Sequence, residues 1–143
     1  MLFGKRKQVV KRILIVEDEP LTAFNNETLI ESAGYEVVAT HDNVADALAS
    51  LDESPIDLIL SDVKLAGKRT GIDLAREAGK RGVPVLFVTG KCPPDAASLS
   101  IGCLVKPYSG GVLKDAIKAV ELHLEGKAGK LPKGLELFPI TAR

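Results

Sequence analysis

The sequence has no excess of either charge, no long apolar run and very little cysteine. Among 143 residues, 19 Lys and Arg balance 19 Asp and Glu, giving a formal net charge of +0. That balance argues against a protein whose main task is holding nucleic acid, which usually needs a basic excess. No apolar run approaches the roughly 18 residues needed to span a bilayer. The basic start, Met1 to Arg12, lacks the apolar stretch and small-residue cleavage site of a signal peptide. The expected location is therefore the cytoplasm, with no membrane partner. There the two cysteines, Cys92 and Cys103, are expected to be reduced thiols. Internal repeats and low-complexity tracts are also missing. What remains is a chain long enough for one domain with one sizeable core.

That chain alternates between two periodicities. Arg12 to Val16 reads as a buried strand that runs into three acids, Glu17-Asp18-Glu19. Pro20 suits the first residue of a helix carrying Leu21, Phe24, Thr28 and Leu29, and Gly34 stops it. Tyr35 to Thr40 is a second strand. Asp42 or Asn43 can cap the next helix, whose apolar stripe is Val44, Ala47, Leu48 and Leu51. Ile56 to Asp62 is a third strand that ends on a carboxylate. A polar loop leads to Gly71 and a third helix, Ile72 to Arg81.

Val83 to Val88 is the fourth strand, ending on Thr89-Gly90. Pro93-Pro94 then leaves room only for a short helix between Asp95 and Ser100. Ile101 to Val105 is the fifth strand, ending at Lys106-Pro107. Ser109 can cap the last helix, with Leu113, Ile117, Val120 and Leu124 on one face. Five strands alternating with five helical segments predict an α/β fold with a doubly wound parallel sheet and helices on both faces. The expected division is a basic extension over 1–10, one domain over 11–125 and a tail over 126–143 with no output domain.

In such a sheet, ligands bind outside the carboxyl ends of the strands. That rim would carry Glu17, Asp18, Asp62, Thr89 and Lys106. Carboxylates gathered at one spot repel each other unless a cation sits among them, and hard oxygen ligands suit Mg²⁺. A carboxylate can act as a nucleophile toward phosphorus. A nearby lysine and hydroxyl can hold phosphoryl oxygens.

Four stretches carry a resemblance to the receiver domains of two-component response regulators. They are Ile-Leu-Ile-Val-Glu17-Asp18-Glu19, Leu-Ile-Leu-Ser-Asp62-Val-Lys-Leu, Phe-Val-Thr89-Gly90 and Lys106-Pro107-Tyr108. The resemblance covers about residues 11 to 125 and implies a flavodoxin-like sheet of order 2-1-3-4-5. It implies that Asp62 accepts a phosphoryl group from a phosphohistidine on a sensor histidine kinase or histidine phosphotransferase. It further implies Mg²⁺ on Asp18, Asp62 and the main-chain carbonyl of Lys64, with Glu17 acting through water. Thr89 and Lys106 would hold phosphoryl oxygens, and the Lys106–Pro107 bond would be cis. Output would pass to a downstream protein, from a monomer or a phosphorylation-dependent dimer, with at most slow self-catalysed phosphorylation and dephosphorylation.

The chain departs from that pattern in three places. Cys103 stands where receivers usually carry a switching aromatic, so the signalling route through Phe87, Cys103, Pro107 and Tyr108 differs. Pro84, Phe87, Thr89 and Gly90 match a Pro-Phe-x-Phe-Ala-Thr-Gly motif, while Val85, Val88 and Lys91 do not. That motif marks an alphaproteobacterial subgroup of receivers, often single-domain and linked to the general stress response. The connection from Thr89 to Lys106 is also short, which implies a shortened fourth helix.

Three alternatives remain. The first is a phosphate sink or relay. The second is a Mg²⁺-dependent phosphatase with an aspartyl nucleophile, although Lys64 stands where its general acid should be. The third is a nucleotide-binding domain, although acids occupy the turn where a glycine-rich loop is needed.

Overall fold

The computed structural model describes residues 9–140. Most of the expected basic extension lies outside them. In chain order the elements are β1 (Arg12–Val16), α1 (Pro20–Ser32), β2 (Glu36–His41), α2 (Val44–Glu53), β3 (Leu58–Ser61) and α3 (Gly71–Lys80). They continue with β4 (Val85–Thr89), α4 (Ala96–Leu99), β5 (Gly102–Val105), α5 (Gly110–Leu124) and β6 (Leu135–Leu137). The sheet order is β2-β1-β3-β4-β5-β6. The first five strands are parallel, and β6 runs antiparallel to β5.

The apolar runs are continuous because both faces of the sheet are covered. Alternate residues then enter different cores. Ile13, Ile15, Leu58, Leu60, Leu86 and Val88 pack under α1 and α5 with Ile30, Leu113 and Ile117. Leu14, Val16, Ile59, Val85 and Phe87 pack on the other face with Ala47, Leu74, Ala78 and Ala96. Helix starts follow local chemistry. The side chains of Glu19, Asn43 and Ser109 accept backbone N–H bonds at the heads of α1, α2 and α5. Thr70 and Asp73 form a capping box on α3.

The buried face of α1 is Ala23, Asn26 and Ile30. Leu21 and Phe24 lie on the opposite side, 66% and 64% exposed. Three- and four-residue steps mark a helix but do not by themselves say which of its sides meets the core.

The expected five strands become six, because the tail supplies β6. Gly102 makes this docking sterically feasible. A Cβ there would stand 2.7 Å from the Glu136 carbonyl oxygen and 2.8 Å from a Leu137 methyl. Leu135 enters the α1/α5 core, whereas Phe138 enters the opposite core. The Phe138 N–H donates to the Ile101 carbonyl at 3.0 Å, and His123 Nε2 donates to the Phe138 carbonyl at 2.6 Å. Three strand residues were too few to show a periodicity in the sequence.

The expectation of two reduced thiols is also corrected. Cys92 and Cys103 form a disulfide, with their Cα atoms 6.2 Å apart. The fourth helix is shortened as expected, to Ala96–Leu99. That brevity folds the chain back within eleven residues and brings Cys92 onto β5. Compartment and cysteine count carry no information about this proximity.

Two features of the frame generate tests. A Cβ at Gly71 would lie 2.1 Å from the Asp62 carbonyl oxygen, so only glycine lets α3 start against the loop after β3. Gly71→Ala is expected to cost about 1–3 kcal/mol in urea denaturation, as backbone moves to relieve the contact. Tyr35 is buried, and its hydroxyl donates to Glu121 Oε1. Burial pushes its pKa well above the ordinary 10.0, and the Glu121 bond and charge add to this. The folded state thus holds this proton more tightly than the unfolded chain. The resulting stability is complete below pH 10 and drains as pH rises through the folded value. Urea midpoints measured from pH 8 to 12 should fall less steeply above pH 10 in Tyr35→Phe than in the wild-type chain.

Candidate functional site

The four stretches singled out in the sequence meet at the carboxyl ends of β1, β3, β4 and β5. Parallel pairing extends one residue or more past each strand. The Glu17 N–H donates to the His41 carbonyl at 2.9 Å, and the Asp62 N–H to the Val16 carbonyl at 3.0 Å. The Lys106 N–H donates to the Thr89 carbonyl at 2.8 Å. These ladders place Glu17, Asp62, Thr89 and Lys106 on one rim.

The central contact is a fork. Lys106 Nζ donates to Glu17 Oε1 and to Asp62 Oδ2, each at 2.7 Å. Glu17 is 4% exposed and Thr89 is 6% exposed, while Asp62 is partly accessible and Asp18 faces solvent. The remaining oxygens of the two bonded acids are held by main chain. Glu17 Oε2 accepts the Glu19 N–H at 3.1 Å, and Asp62 Oδ1 accepts the Val63 N–H at 2.6 Å. Both oxygens of each acid are thereby held by hydrogen bonds.

Charge at the rim is unbalanced. Glu17, Asp18 and Asp62 offer carboxylate oxygens that all lie within 4.8 Å of one another. One ammonium answers three acids. Burial alone would lower the Lys106 pKa, but the bonds and charges of Asp62 and Glu17 outweigh it and hold the pKa above the ordinary 10.5. Two negative charges remain for a further cation to meet. An all-oxygen set with two members reachable from solvent fits Mg²⁺, which takes few protein ligands and keeps its waters. Lys64, expected to offer its carbonyl, is exposed in the loop after β3.

The proposed signalling residues are scattered around this fork. The Lys106–Pro107 peptide bond is cis, as the resemblance implied. Phe87 is fully buried in β4, directly opposite Cys103 on β5. Tyr108 is partly buried, and its hydroxyl bonds Asn26 Oδ1 at 3.1 Å. Burial raises its pKa. Sequence reasoning missed Asn26, a buried polar residue on the helix face where an apolar one is usual. It also missed the cleft of about 360 Å³ that Thr22, Asn26 and Leu29 form against Lys106, Pro107 and Tyr108. A polar residue at a core position of α1 was the available signal.

Comparison with known proteins agrees with this geometry. Residues 13–118 match the family described as the response regulator receiver domain. The transcriptional regulatory protein PdtaR of Mycobacterium tuberculosis is 31% identical over 150 residues, spanning 94% of this chain and 71% of that protein. The crystal structure of a CheY-like receiver domain protein from Methanospirillum hungatei superposes with a TM-score of 0.73 at 27% identity. It covers 82% of this chain and 98% of its own. The PhyR stress response regulator superposes with a TM-score of 0.65 at 27% identity, over 82% of this chain and 46% of that one. With that family model matched over residues 13–118, most of its length, this chain belongs to the response regulator receiver domains.

Proposed function

We propose that this receiver takes a phosphoryl group from a histidine of a partner kinase or phosphotransferase onto Asp62, and signals through protein contacts. The observation that carries this reading is the Lys106 fork. It leaves Asp62 oriented and partly accessible beside two further acids.

The chemistry follows from the named groups. A carboxylate oxygen of Asp62 forms the new O–P bond as the P–N bond to the donor's imidazole breaks, and the imidazole keeps the electron pair. Lys106 Nζ, already 2.7 Å from Asp62, shifts its hydrogen bond to a phosphoryl oxygen and offsets the charge that gathers there. The Thr89 hydroxyl at the end of β4 is assigned to a second phosphoryl oxygen. Asp18, Asp62 and the Lys64 carbonyl are assigned to Mg²⁺, with Glu17 acting through water; the ion would neutralise phosphoryl oxygens and lessen repulsion from the acids. Phosphatase turnover is disfavoured because Lys64, two residues after Asp62, is not a proton donor suited to that step.

The Pro84, Phe87, Thr89 and Gly90 matches, together with the PhyR likeness, support a role in a stress response. Transfer onward to a second histidine makes the same chain a relay or a sink, and comparing back-transfer with partner affinity separates these.

With Mg²⁺ and acetyl phosphate, intact-mass spectrometry should show a gain of one phosphoryl group, and Asp62→Ala should show none. Modification that persists in the variant, or that never appears even with a cognate kinase, removes the assignment. Lys106→Met should slow phosphoryl uptake by about 100-fold, the scale for one charged or hydrogen-bonding group at a transferring centre. Single-turnover assays with acetyl phosphate would read this.

A further inference from the structure

We propose that the Cys92–Cys103 pair is a thiol–disulfide exchange site that ties down or releases the segment leading out of Thr89. This inference rests on the phosphoacceptor reading above.

Three observations carry it. Cys92 lies three residues after Thr89, and Cys103 three residues before Lys106. The bond thus joins the two arms that leave the phosphoryl-binding rim. The cysteines are unequally accessible. Cys103 is fully buried between Phe87 and the rest of its core, whereas Cys92 is partly exposed at its edge. An incoming thiol can reach only one of the two sulfurs, which gives exchange a defined order. Besides the disulfide, the tied segment reaches the core through Ala96, Leu99 and Ser100. α4 spans four residues with no side-chain cap, and Ala96 is its one buried residue. The bonds Ala96 N to Pro93 O, Ser98 N to Asp95 O and Ser100 N to Ala96 O all stay inside the segment. The disulfide supplies by covalent means what a longer fourth helix would supply by packing.

The exchange balances with a protein dithiol as reductant. A thiolate of that dithiol attacks Cys92 Sγ, the bond between Cys92 and Cys103 breaks, and Cys103 leaves as a thiolate that takes a proton. The second thiol of the dithiol then attacks the mixed disulfide and releases Cys92. Two electrons pass to the pair, and the dithiol becomes a disulfide. The reverse sequence oxidises the pair. Reduced, residues 91–100 can follow Thr89 toward a phosphoryl group; oxidised, they are pinned to β5.

The test uses the wild-type chain in two forms, treated with dithiothreitol or with glutathione disulfide. Thiol counting should give two thiols and none, respectively. Amide exchange over residues 91–100 should become about tenfold faster on reduction, with the rest of the sheet unchanged. The rate of phosphorylation by acetyl phosphate should differ between the forms by about fivefold or more. Cys92→Ser should show the reduced behaviour under both treatments. Two thiols persisting under glutathione disulfide, equal exchange in the two forms, or equal phosphorylation rates would each overturn the proposal. If neither form takes up phosphoryl, from acetyl phosphate or from a cognate kinase, the phosphoacceptor reading fails and the rate comparison drops out, while the thiol count and amide exchange still judge the tether.

Discussion

Everything at the rim depends on one ammonium among three carboxylates. Lys106 bonds Glu17 and Asp62 at the same distance, 2.7 Å, and leaves Asp18 facing water. Like charges this close are tolerable only with a counter-charge, and a single lysine does not complete the balance. The incompleteness is useful chemically. It leaves an all-oxygen acidic group suited to a divalent cation, which a fully neutralised site would not attract.

The frame serves that contact. Glu17, Asp62 and Lys106 come from three strands, and the ladders that fix them run through backbone groups that any sequence could supply. What this sequence adds is room and anchorage. Gly71 lets α3 start against the Asp62 carbonyl, and the second oxygens of Glu17 and Asp62 are caught by main-chain N–H groups. Both faces of the sheet are packed, so a shift of either acid would be resisted by cores on two sides.

The β5 edge of the sheet differs in kind. β5 receives β6 on its outer edge, and the disulfide ties its Cys103 to the loop after β4. β5 would otherwise be an edge strand with open hydrogen-bonding groups. Here that edge is closed by residues of the same chain, and α4 is reduced to a single turn. The region is therefore built from a short helix, a covalent bond and a short antiparallel strand.

The sequence by itself determined the parallel sheet, the helix starts and the set of rim residues. These follow from local rules: apolar runs buried on both faces, caps one residue before α1, α2, α3 and α5, and polar residues where strands stop. It showed that α4 must be short, but it could not place Cys92 against Cys103, because where the returning chain packs onto β5 is a matter of tertiary packing. Nor could it seat Leu135–Leu137, since three residues show no period and their partner edge on β5 exists only after folding. The core side of α1 was likewise illegible, because Leu21 and Phe24 look apolar in sequence and Asn26 does not. Only tertiary structure decided these, because each depends on contacts between segments far apart along the chain, and no local pattern encodes the distance between them.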